Sequence, residues 1–478
     1  MNHDLTCIPP PPEALFETWP ESARSYIQQL TATIRQLQTE VVDLKARLSK
    51  DSSNSSKPPS SDGLKRKSKS QRLKSGKKSG GQKGHAGTGL SQVSTPDQIV
   101  IHTPRACLGC GQGLDGVSGD CAERRQVFDI PQPKIQVTEH QVEKKKCPCC
   151  GLVTRAAFPD EIKGPVQYGG RAQALAAYFS HQHFIPMERV CQIFEDIFGV
   201  SLSQGTCANV DERLYEKLEV FESGLKTHLL ASQILHFDET GIRCEKKLHW
   251  IHVVSSDLAT LYTIDPKRGK EAIDHAGVLP LFSGVAVHDH WKSYFSYGQA
   301  IHALCNAHHL RELTFIHESE KEEWAEQMKG LLMMAKNEVE RYSDQSSLPN
   351  EILSRLDQGY TQILTEGIEY HSQLPPLPKG TRGKQKQRAG KNLLDRLSSC
   401  RDCVLRFMHD FSVPFTNNQA EQDIRMVKLK QKVAGSFRTL LGAKMFCRIR
   451  SYISTARKQG WGVWGALSEA IQGRPRLL

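Results

Sequence analysis

The stretch ASQILHFDETGIR (residues 231–243) carries the main signal for the fold, because an apolar run ends there in two acids. Asp238 and Glu239 close the run, and Thr240 and Gly241 then break the apolar pattern. A short apolar run followed by turn residues predicts a buried strand, QILHFD, that projects a carboxylate from its end. An Asp after a strand also commonly begins a turn. An active-site role for Asp238 requires partner residues elsewhere in the sequence, whereas a turn requires none.

Further apolar and β-branched runs follow this strand and predict an α/β sheet with helices on its faces. We expect five strands with one helix between the third and fourth: QILHFD (233–238), LHWIHVVSS (248–256), TLYTID (260–265), helix KEAIDHAGVL (270–279), SGVAVHD (283–289) and AIHALC (300–305).

Two further acids are candidate partners of Asp238. Asp289 ends the strand SGVAVHD, and adjacent strands would bring the two carboxylates close together. Like charges so close are costly unless a cation lies between them, and Mg²⁺ or Mn²⁺ prefers such oxygen ligands. Glu421 lies in the first turn of a helix whose cap we expect within residues 416–418. The simpler interpretation of Glu421 is an exposed ion pair with Arg425.

Four cysteines have the spacing of a structural zinc site. CLGCG contains Cys107 and Cys110, and CPCCG contains Cys147 and Cys150, so each motif is a C-x2-C followed by Gly. Two such turns supply four thiolates for one tetrahedral Zn²⁺, a closed site without a catalytic role. Cys149 could replace a neighbour as ligand. The intervening stretches RRQVFDI and KIQVTEHQVEKKK predict the strands of a zinc ribbon.

Positive charge is concentrated in one short segment. The net charge is +11, and residues 57–83 contain ten Lys or Arg against the single acid Asp62. Ser, Gly, Pro and Lys dominate this segment, which predicts a flexible basic linker. A polyanion, DNA first of all, is the expected partner, and a solvated linker that binds nothing is the alternative. The candidate DNA contacts are Lys65, Arg66, Lys67, Lys69, Arg72, Lys74, Lys77 and Lys78.

A seven-residue repeat precedes the linker. Ile27, Ile34, Val41 and Leu48 recur every seven residues, and Leu30, Leu37 and Leu44 recur with the same period three positions later. β-Branched residues at the first position and Leu at the second favour a parallel two-stranded coiled coil. We therefore expect a homodimer or a higher oligomer. The alternative is a single amphipathic helix that packs on the chain's own core.

The composition favours a soluble protein. The hydrophobic content is 38% and the mean hydropathy is −0.46. We find no apolar run of the roughly 20 residues that a membrane helix requires, and no secretory signal. We therefore expect no membrane partner and a reducing cytoplasm.

Several long motifs resemble bacterial transposases of the insertion sequence 66 family. They include NSSKPPSSDG, GGQKGHAG, HFDETG, HDHWKSY, CNAHHLREL, NNQAEQDIRMVKLKQKVAGSFRT and CRIRSYISTARKQG. The resemblance implies a ribonuclease H-like core in which Asp238, Asp289 and Glu421 form an Asp-Asp-Glu triad. It also implies two catalytic Mg²⁺ or Mn²⁺ ions. Cys305 and His308 resemble a Cys-x2-His element of such enzymes. A zinc-binding role is one interpretation of this pair, and a structural pair that helps an insertion to dock is the simpler one.

We therefore expect a multidomain α/β protein. The expected segments are 1–50 coiled-coil dimerisation segment, 51–98 basic linker, 99–165 zinc-binding ribbon, 166–228 helical with a helix-turn-helix as one interpretation, 229–317 first part of the catalytic core, 318–411 helical insertion, 412–440 helix bearing Glu421, and 441–478 helical tail.

The resemblance implies a transposase that cuts and joins element ends on DNA. Hydrolysis would be followed by attack of a DNA 3′-hydroxyl, with metal-dependent phosphoryl transfer in both steps. Smaller proteins encoded by the element could assist. The resemblance also implies a bacterial cytoplasm and association with the nucleoid. Two alternatives remain: a catalytically inactive DNA-binding regulator, and a metal-dependent nuclease that does not join strands.

Overall fold

The computed structural model describes residues 18–50, 54, 84, 89–121, 123–377 and 387–478. The chain divides into two compact units. The first consists of Met1–Gln71, Tyr168–Val190 and Ser203–Leu478, and the second of Arg72–Gln167 and Cys191–Leu202.

The described residues form a mixed α/β structure with fourteen α-helices and two sheets. The helices are α1 (Glu21–Ser49), α2 (Gly170–Ala177), α3 (Met187–Phe198), α4 (Gln204–Lys217), α5 (Glu219–Leu230), α6 (Lys270–Ala276), α7 (Asn306–Glu320), α8 (Glu323–Arg341), α9 (Asn350–Gln373), α10 (Ala389–Ser399), α11 (Arg401–His409), α12 (Asn418–Ala434), α13 (Leu440–Lys458) and α14 (Val463–Ile471). The strands are β1 (Lys144–Lys146), β2 (Val153–Arg155), β3 (Ile234–Cys244), β4 (Lys247–Ser255), β5 (Thr260–Asp265), β6 (Val285–His288) and β7 (Ile301–Leu304).

The second unit contains both cysteine motifs, and each motif forms the same tight turn. Gly111 N–H donates to the Cys107 carbonyl at 2.9 Å, and Gly151 N–H donates to the Cys147 carbonyl at the same distance. β1 and β2 pair antiparallel on either side of the second turn. Each motif therefore folds locally as the spacing predicts.

The strands predicted between the two motifs are mostly absent. Residues 123–143 contain no strand, and only Lys144–Lys146 of the predicted second strand pairs with β2. Val127, Ile130 and Val137 are 92%, 82% and 87% exposed, so no hydrophobic face supports a ladder here. Short strands without such a face are marginally stable, which explains the wrong prediction.

In the first unit, α1 is a 29-residue helix at the position of the seven-residue repeat. Ile27, the first residue of the repeat, is half-buried, and the other six side chains of the repeat are exposed, at between 41% and 80%. These six are Leu30, Ile34, Leu37, Val41, Leu44 and Leu48. This exposure speaks against the alternative in which the stripe packs on the chain's own core.

Residues 166–228 are largely helical, as predicted. α3 ends before Gly199, whose φ of +66° favours glycine. Ser203 caps α4, because its hydroxyl accepts the Thr206 N–H at 3.0 Å. The helix-turn-helix interpretation stays a prediction.

The five predicted strands form one mixed sheet in the order β5-β4-β3-β6-β7. β3 pairs antiparallel with β4, and β4 with β5, whereas β3-β6 and β6-β7 are parallel pairs. Two apolar clusters cover its two faces. Leu235 and Phe237 of β3 belong to one cluster, and Ile242 and Cys244 belong to the other. The alternation of side chains along β3 thus supplies both clusters.

The prediction that the first strand ends at Asp238 is wrong, because β3 continues to Cys244. Gly241 lies inside β3, opposite Trp250 of β4. A Cβ at Gly241 would come within 3.1 Å of the Leu248 side chain and 3.7 Å of the Trp250 ring. The glycine therefore permits a close cross-strand approach instead of ending the strand.

The segment predicted as a helical tail is helical but is not peripheral. α13 covers the edge strand β5. Hydroxyl groups of α13 accept hydrogen bonds from N–H groups of β5 that pair with no other strand. Tyr262 N–H donates to Ser451 Oγ at 2.8 Å, and Thr260 N–H donates to Thr455 Oγ1 at 3.1 Å. Edge strands require such cover because their backbone groups are otherwise unpaired.

The helical insertion predicted between the last strand and the Glu421 helix is present as α7–α11. It begins at Asn306, before the predicted boundary at residue 318. These helices share an apolar cluster, in which Trp324, Leu364 and Leu394 participate. Leu304 of β7 belongs to the same cluster, so the insertion packs directly on this edge strand of the sheet.

Candidate active site

Asp238 lies where β3 loses one of its two neighbours. β6 pairs with β3 only over residues 234–236, whereas β4 accompanies β3 to Cys244. Asp238 Oδ1 accepts the Glu239 N–H at 2.9 Å. Burial raises the pKa of the Asp238 carboxyl well above its ordinary value, and repulsion from Glu239, Asp289 and Glu421 raises it further. This position in mid-strand excludes the turn interpretation of Asp238.

The sheet register brings Asp289 beside Asp238. Every β3 residue that pairs with β6 is matched to the residue 51 positions later, as in Ile234 with Val285. Asp289 follows β6 directly and is 51 positions after Asp238, so the same register continued beyond the paired residues joins the two acids. Asp289 Oδ1 accepts the Trp291 N–H at 2.9 Å, so this acid also begins a turn.

Glu421 reaches the two aspartates through the first turn of α12. Asn417, the residue before α12, makes no side-chain cap. Instead its Oδ1 lies 2.9 Å from His236 Nδ1, and its Nδ2 donates to the Phe237 carbonyl at 2.8 Å. The expected cap is therefore a bridge to the strand residues immediately before Asp238.

A buried polar network holds the next turn of α12 to the sheet. Asp423 Oδ2 accepts from Ser255 Oγ at 2.7 Å, from Thr260 Oγ1 at 2.9 Å and from Lys458 Nζ at 2.9 Å. The side chains of Asp423 and Lys458 are only 15% and 13% exposed. Neither residue stands out in the sequence, because the two are 35 positions apart and no local pattern joins them.

Cys305 and His308 lie close to Glu421, one of the three candidate acids. The interpretation of this pair as a docking element for the insertion does not predict that contact. Glu421 Oε1 lies 3.8 Å from Cys305 Sγ and 3.9 Å from His308 Nδ1. One ligand atom from each of the three residues lies within 4.8 Å of the others. Within the described ranges, no other group of three or more His, Cys, Asp or Glu residues has its ligand atoms this close together. The carboxylate oxygens of Asp238, Asp289 and Glu421 therefore do not all lie within 4.8 Å of one another.

Glu239 faces the opposite side of the sheet from Asp238, as the alternation predicts. Its carboxylate pairs with Arg268 at 2.6 Å and accepts a hydrogen bond from Tyr294. The Arg268 guanidinium lies 4.8 Å from the Trp250 ring and 4.3 Å from the Trp291 ring. Glu239 is thus part of a buried structural cluster.

The histidines beside Asp289 are neutral at physiological pH. Burial lowers the pKa of His288 to about 3 and that of His290 to about 4. His288 Nε2 lies 2.9 Å from His302 Nδ1. Neither side chain provides a proton donor or acceptor poised near pH 7.

The basic residues of α12 have structural partners. Lys428 Nζ donates to the Gly241 carbonyl at 2.6 Å, and Lys430 Nζ donates to the Gly435 carbonyl at 3.0 Å. Both ammonium groups therefore bind backbone carbonyls and do not form a purely solvated face. The eight predicted DNA contacts between Lys65 and Lys78 lie outside the described residues.

The four predicted zinc ligands occupy two similar turns. Backbone hydrogen bonds from Cys110 and Gly109 lower the pKa of the Cys107 thiol. The Cys147 thiol has its pKa lowered in the same way, by Cys150 and Cys149. Such N–H donors favour thiolates, the form that binds zinc. Among these described sulfurs, no three lie within 4.8 Å of one another.

Comparison with models of protein families identifies the family of this chain. The model of the Transposase IS66 family matches residues 165–445, which is more than half of the chain. The chain belongs to the IS66 transposase family.

Two further family models match this IS66 transposase, both in the part of the chain that precedes the five-stranded sheet. The zinc-finger binding domain of transposase IS66 matches residues 104–151, a range that includes all four predicted zinc ligands. A family of unknown function matches residues 8–91. No curated protein matches the chain.

Family membership supports a transposase function with DNA as the partner, and the zinc-finger match supports a structural zinc ion. In the part of the chain that the structure describes, no helix is both long and apolar enough to cross a bilayer.

Proposed function

We propose that this IS66 transposase cuts and joins the ends of its element by metal-dependent phosphoryl transfer. The observation that carries the proposal is the approach of Asp238, Asp289 and Glu421, which come from separate segments, to one end of the sheet. The strand order β5-β4-β3-β6-β7 with its antiparallel and parallel halves supports a ribonuclease H-like core.

The three carboxylates fit hard divalent cations. Carboxylate oxygens are the ligands that Mg²⁺ and Mn²⁺ prefer, and a cation would relieve the repulsion that raises the pKa of Asp238. Two ions about 3.5–4 Å apart need a wider set of ligands than one ion does, which suits the looser spacing of the acids.

Each acid has a residue or backbone group that orients it. The Glu239 and Trp291 N–H groups each hold one oxygen of an aspartate, so the second oxygen is available to a cation. Asn417 fixes the start of the Glu421 helix against β3. When bound, the ions would activate the attacking oxygen and stabilise the leaving oxygen. This chemistry requires no covalent intermediate with a Ser or Tyr.

The proposed zinc ligands are Cys107, Cys110, Cys147 and Cys150. Their two turns, the lowered thiol pKa values and the zinc-finger match support this site. Purified protein should retain about one zinc ion per chain after dialysis, the content of one four-thiolate site. Cys107→Ser combined with Cys147→Ser should remove that zinc, as measured by atomic absorption. Full zinc content in the double variant would refute the ligand set.

The proposed dimer and the proposed DNA contacts involve the N-terminal segments. Transposition joins two element ends, so a coiled coil through the exposed stripe of α1 would pair two subunits. The lysines and arginines between Lys65 and Lys78 would contact DNA phosphates without reading sequence. Neither proposal depends on the other.

The decisive experiment combines element-end DNA, the purified chain and Mg²⁺. We expect strand cleavage, and then joining of pre-cut ends to a target. Both reactions should stop with EDTA and resume with Mg²⁺ or Mn²⁺. Cleavage without joining would instead identify a nuclease, and binding without cleavage would identify an inactive regulator.

A further inference from the structure

Cys305, His308 and Glu421 form a compact group with ligand atoms of three chemical types. Cys305 directly precedes α7, His308 lies in the first turn of α7, and Glu421 lies in the first turn of α12. The thiol sulfur and the imidazole Nδ1 are 3.8 Å and 3.9 Å from the same carboxylate oxygen. Residues 116 positions apart thus meet at the starts of two helices.

We propose that this group binds a transition metal ion of the zinc class. Thiolate and imidazole ligands select Zn²⁺ over Mg²⁺, so the site differs in kind from the proposed all-carboxylate site. Zinc bonds of 2.0–2.3 Å place tetrahedral ligands about 3.5 Å apart. The two observed distances to the Glu421 oxygen are a few tenths of an ångström longer, and all three ligand atoms lie within 4.8 Å of one another. Side-chain movements would then complete three corners and leave the fourth to water.

Two features prepare these ligands for an ion. The Asn417 N–H donates to Cys305 Sγ at 3.1 Å and thereby fixes the sulfur. His308 Nδ1 is buried and, among the described residues, has no hydrogen-bond partner. A buried ring nitrogen without a partner is costly unless a ligand satisfies it. On binding, the Cys305 thiol would release its proton to solvent.

The shared Glu421 makes this ion an inhibitor of the reaction proposed above, and this step rests on that proposed function. A carboxylate drawn toward Cys305 and His308 is less available to complete the triad with Asp238 and Asp289. Zinc should therefore inhibit Mg²⁺-dependent cleavage, whereas binding of zinc itself does not depend on any catalytic activity.

The binding test uses Co²⁺ as a spectroscopic substitute for Zn²⁺ in the full-length chain. Wild type should bind one Co²⁺ more per chain than Cys305→Ser, with a matching loss of thiolate-to-cobalt absorption in the variant. Cys400→Ser is the matched control, because its sulfur lies 3.6 Å from His290 and outside the group. Equal stoichiometry and equal spectra for wild type and Cys305→Ser would overturn the proposal.

A second variant protects the test against misfolding of Cys305→Ser. His308 is 21% exposed, and its substitution by Gln should disturb packing less. We expect His308→Gln to weaken binding of the additional ion by more than about tenfold. An unchanged affinity in a folded His308→Gln protein would also overturn the site.

The inhibition test measures cleavage at fixed Mg²⁺ against rising Zn²⁺. Each protein is normalised to its own rate without zinc. The zinc concentration that halves cleavage should rise by more than about tenfold in Cys305→Ser and stay unchanged in Cys400→Ser. An unchanged midpoint in Cys305→Ser would refute the inhibitory role. If no protein cleaves DNA, the proposed function fails, and the cobalt titration still decides the metal site.

Discussion

Asp238 is a residue at which function and stability are expected to conflict. Its carboxyl is destabilised in the folded protein by burial and by neighbouring acids. A carboxyl with a raised pKa in the folded state lowers stability as the pH rises through its titration range. Replacement by the neutral Asn should therefore raise the melting temperature of the metal-free protein at pH 7 by a few degrees.

The same variant should lose its chemistry. Asp238→Asn removes one negative charge from the proposed triad, and we expect cleavage to fall by roughly 10³-fold or more with DNA binding retained. Mg²⁺ should stabilise the wild type more than the variant, as measured by thermal melting with and without EDTA. Asp257→Asn is the control, because Asp257 is exposed at the β4–β5 turn. Near-normal cleavage in Asp238→Asn would contradict the proposed role.

Glu239 cannot be used as a silent control beside Asp238. The alternation along β3 correctly predicts that it faces away, but its burial against Arg268 and Tyr294 follows from contacts 29 and 55 residues distant. Glu239→Gln would leave the Arg268 charge without its partner. We expect this change to affect folding, for reasons unrelated to metal binding.

The sequence singles out the three acids as candidates, but it does not single out the residues that position them. Asp238, Asp289 and Glu421 lie in distinctive local patterns. Asn417 and Lys458, by contrast, act through hydrogen bonds to β3 and α12 that no local pattern encodes. Side-chain partners of this kind depend on the assembled fold, and a single sequence gives no periodic signal for them.

At the scale of elements, α12 is held at its start by Asn417 and one turn later by Asp423. Lys458→Met would leave the Asp423 charge buried without its cation. Breaking one side of such a pair typically costs about 3–5 kcal/mol of the free energy of unfolding, which denaturant titration measures. The double variant Asp423→Asn/Lys458→Met should recover part of the loss. A loss below about 1 kcal/mol in Lys458→Met would show that water replaces the ammonium group.

The exposed stripe of α1 makes a separate prediction about self-association. Leu37, 54% exposed in the single chain, should be buried in a coiled coil. Leu37→Asp should therefore shift the full-length protein toward the monomer in sedimentation. Ala32→Asp places the same charge on the helix face opposite the apolar stripe and should leave association unchanged. A monomeric wild type at tens of micromolar would exclude the coiled coil.

Prediction of elements from the sequence succeeded where long-range packing reinforced the local pattern. The strands of the five-stranded sheet were found because both faces are covered, so each reads as an apolar run. The strand end at Gly241 was misplaced because the contact with Trp250 overrides the local turn signal. The strands predicted within residues 123–143 are absent for the opposite reason, because their alternating apolar side chains are exposed.

At the scale of the whole molecule, the basic linker should govern the salt dependence of DNA binding. Deletion of residues 57–83 removes a net charge of +9. Fewer counterions are then released on binding, so the affinity should fall and its logarithmic dependence on salt should flatten. Filter binding at several salt concentrations measures this slope. An unchanged slope would identify the segment as a spacer only.

The contribution of α13 to the Asp423 network has a consequence for protein synthesis. A chain released at residue 439 would already contain all three acids and their strands, but neither Lys458 nor the helix that covers β5. During translation, the helix bearing Glu421 therefore stays without its final support until α13 has left the ribosome. We therefore expect the proposed cleavage of DNA to require the full-length chain, and a chain that ends at residue 439 to be inactive in the cleavage assay.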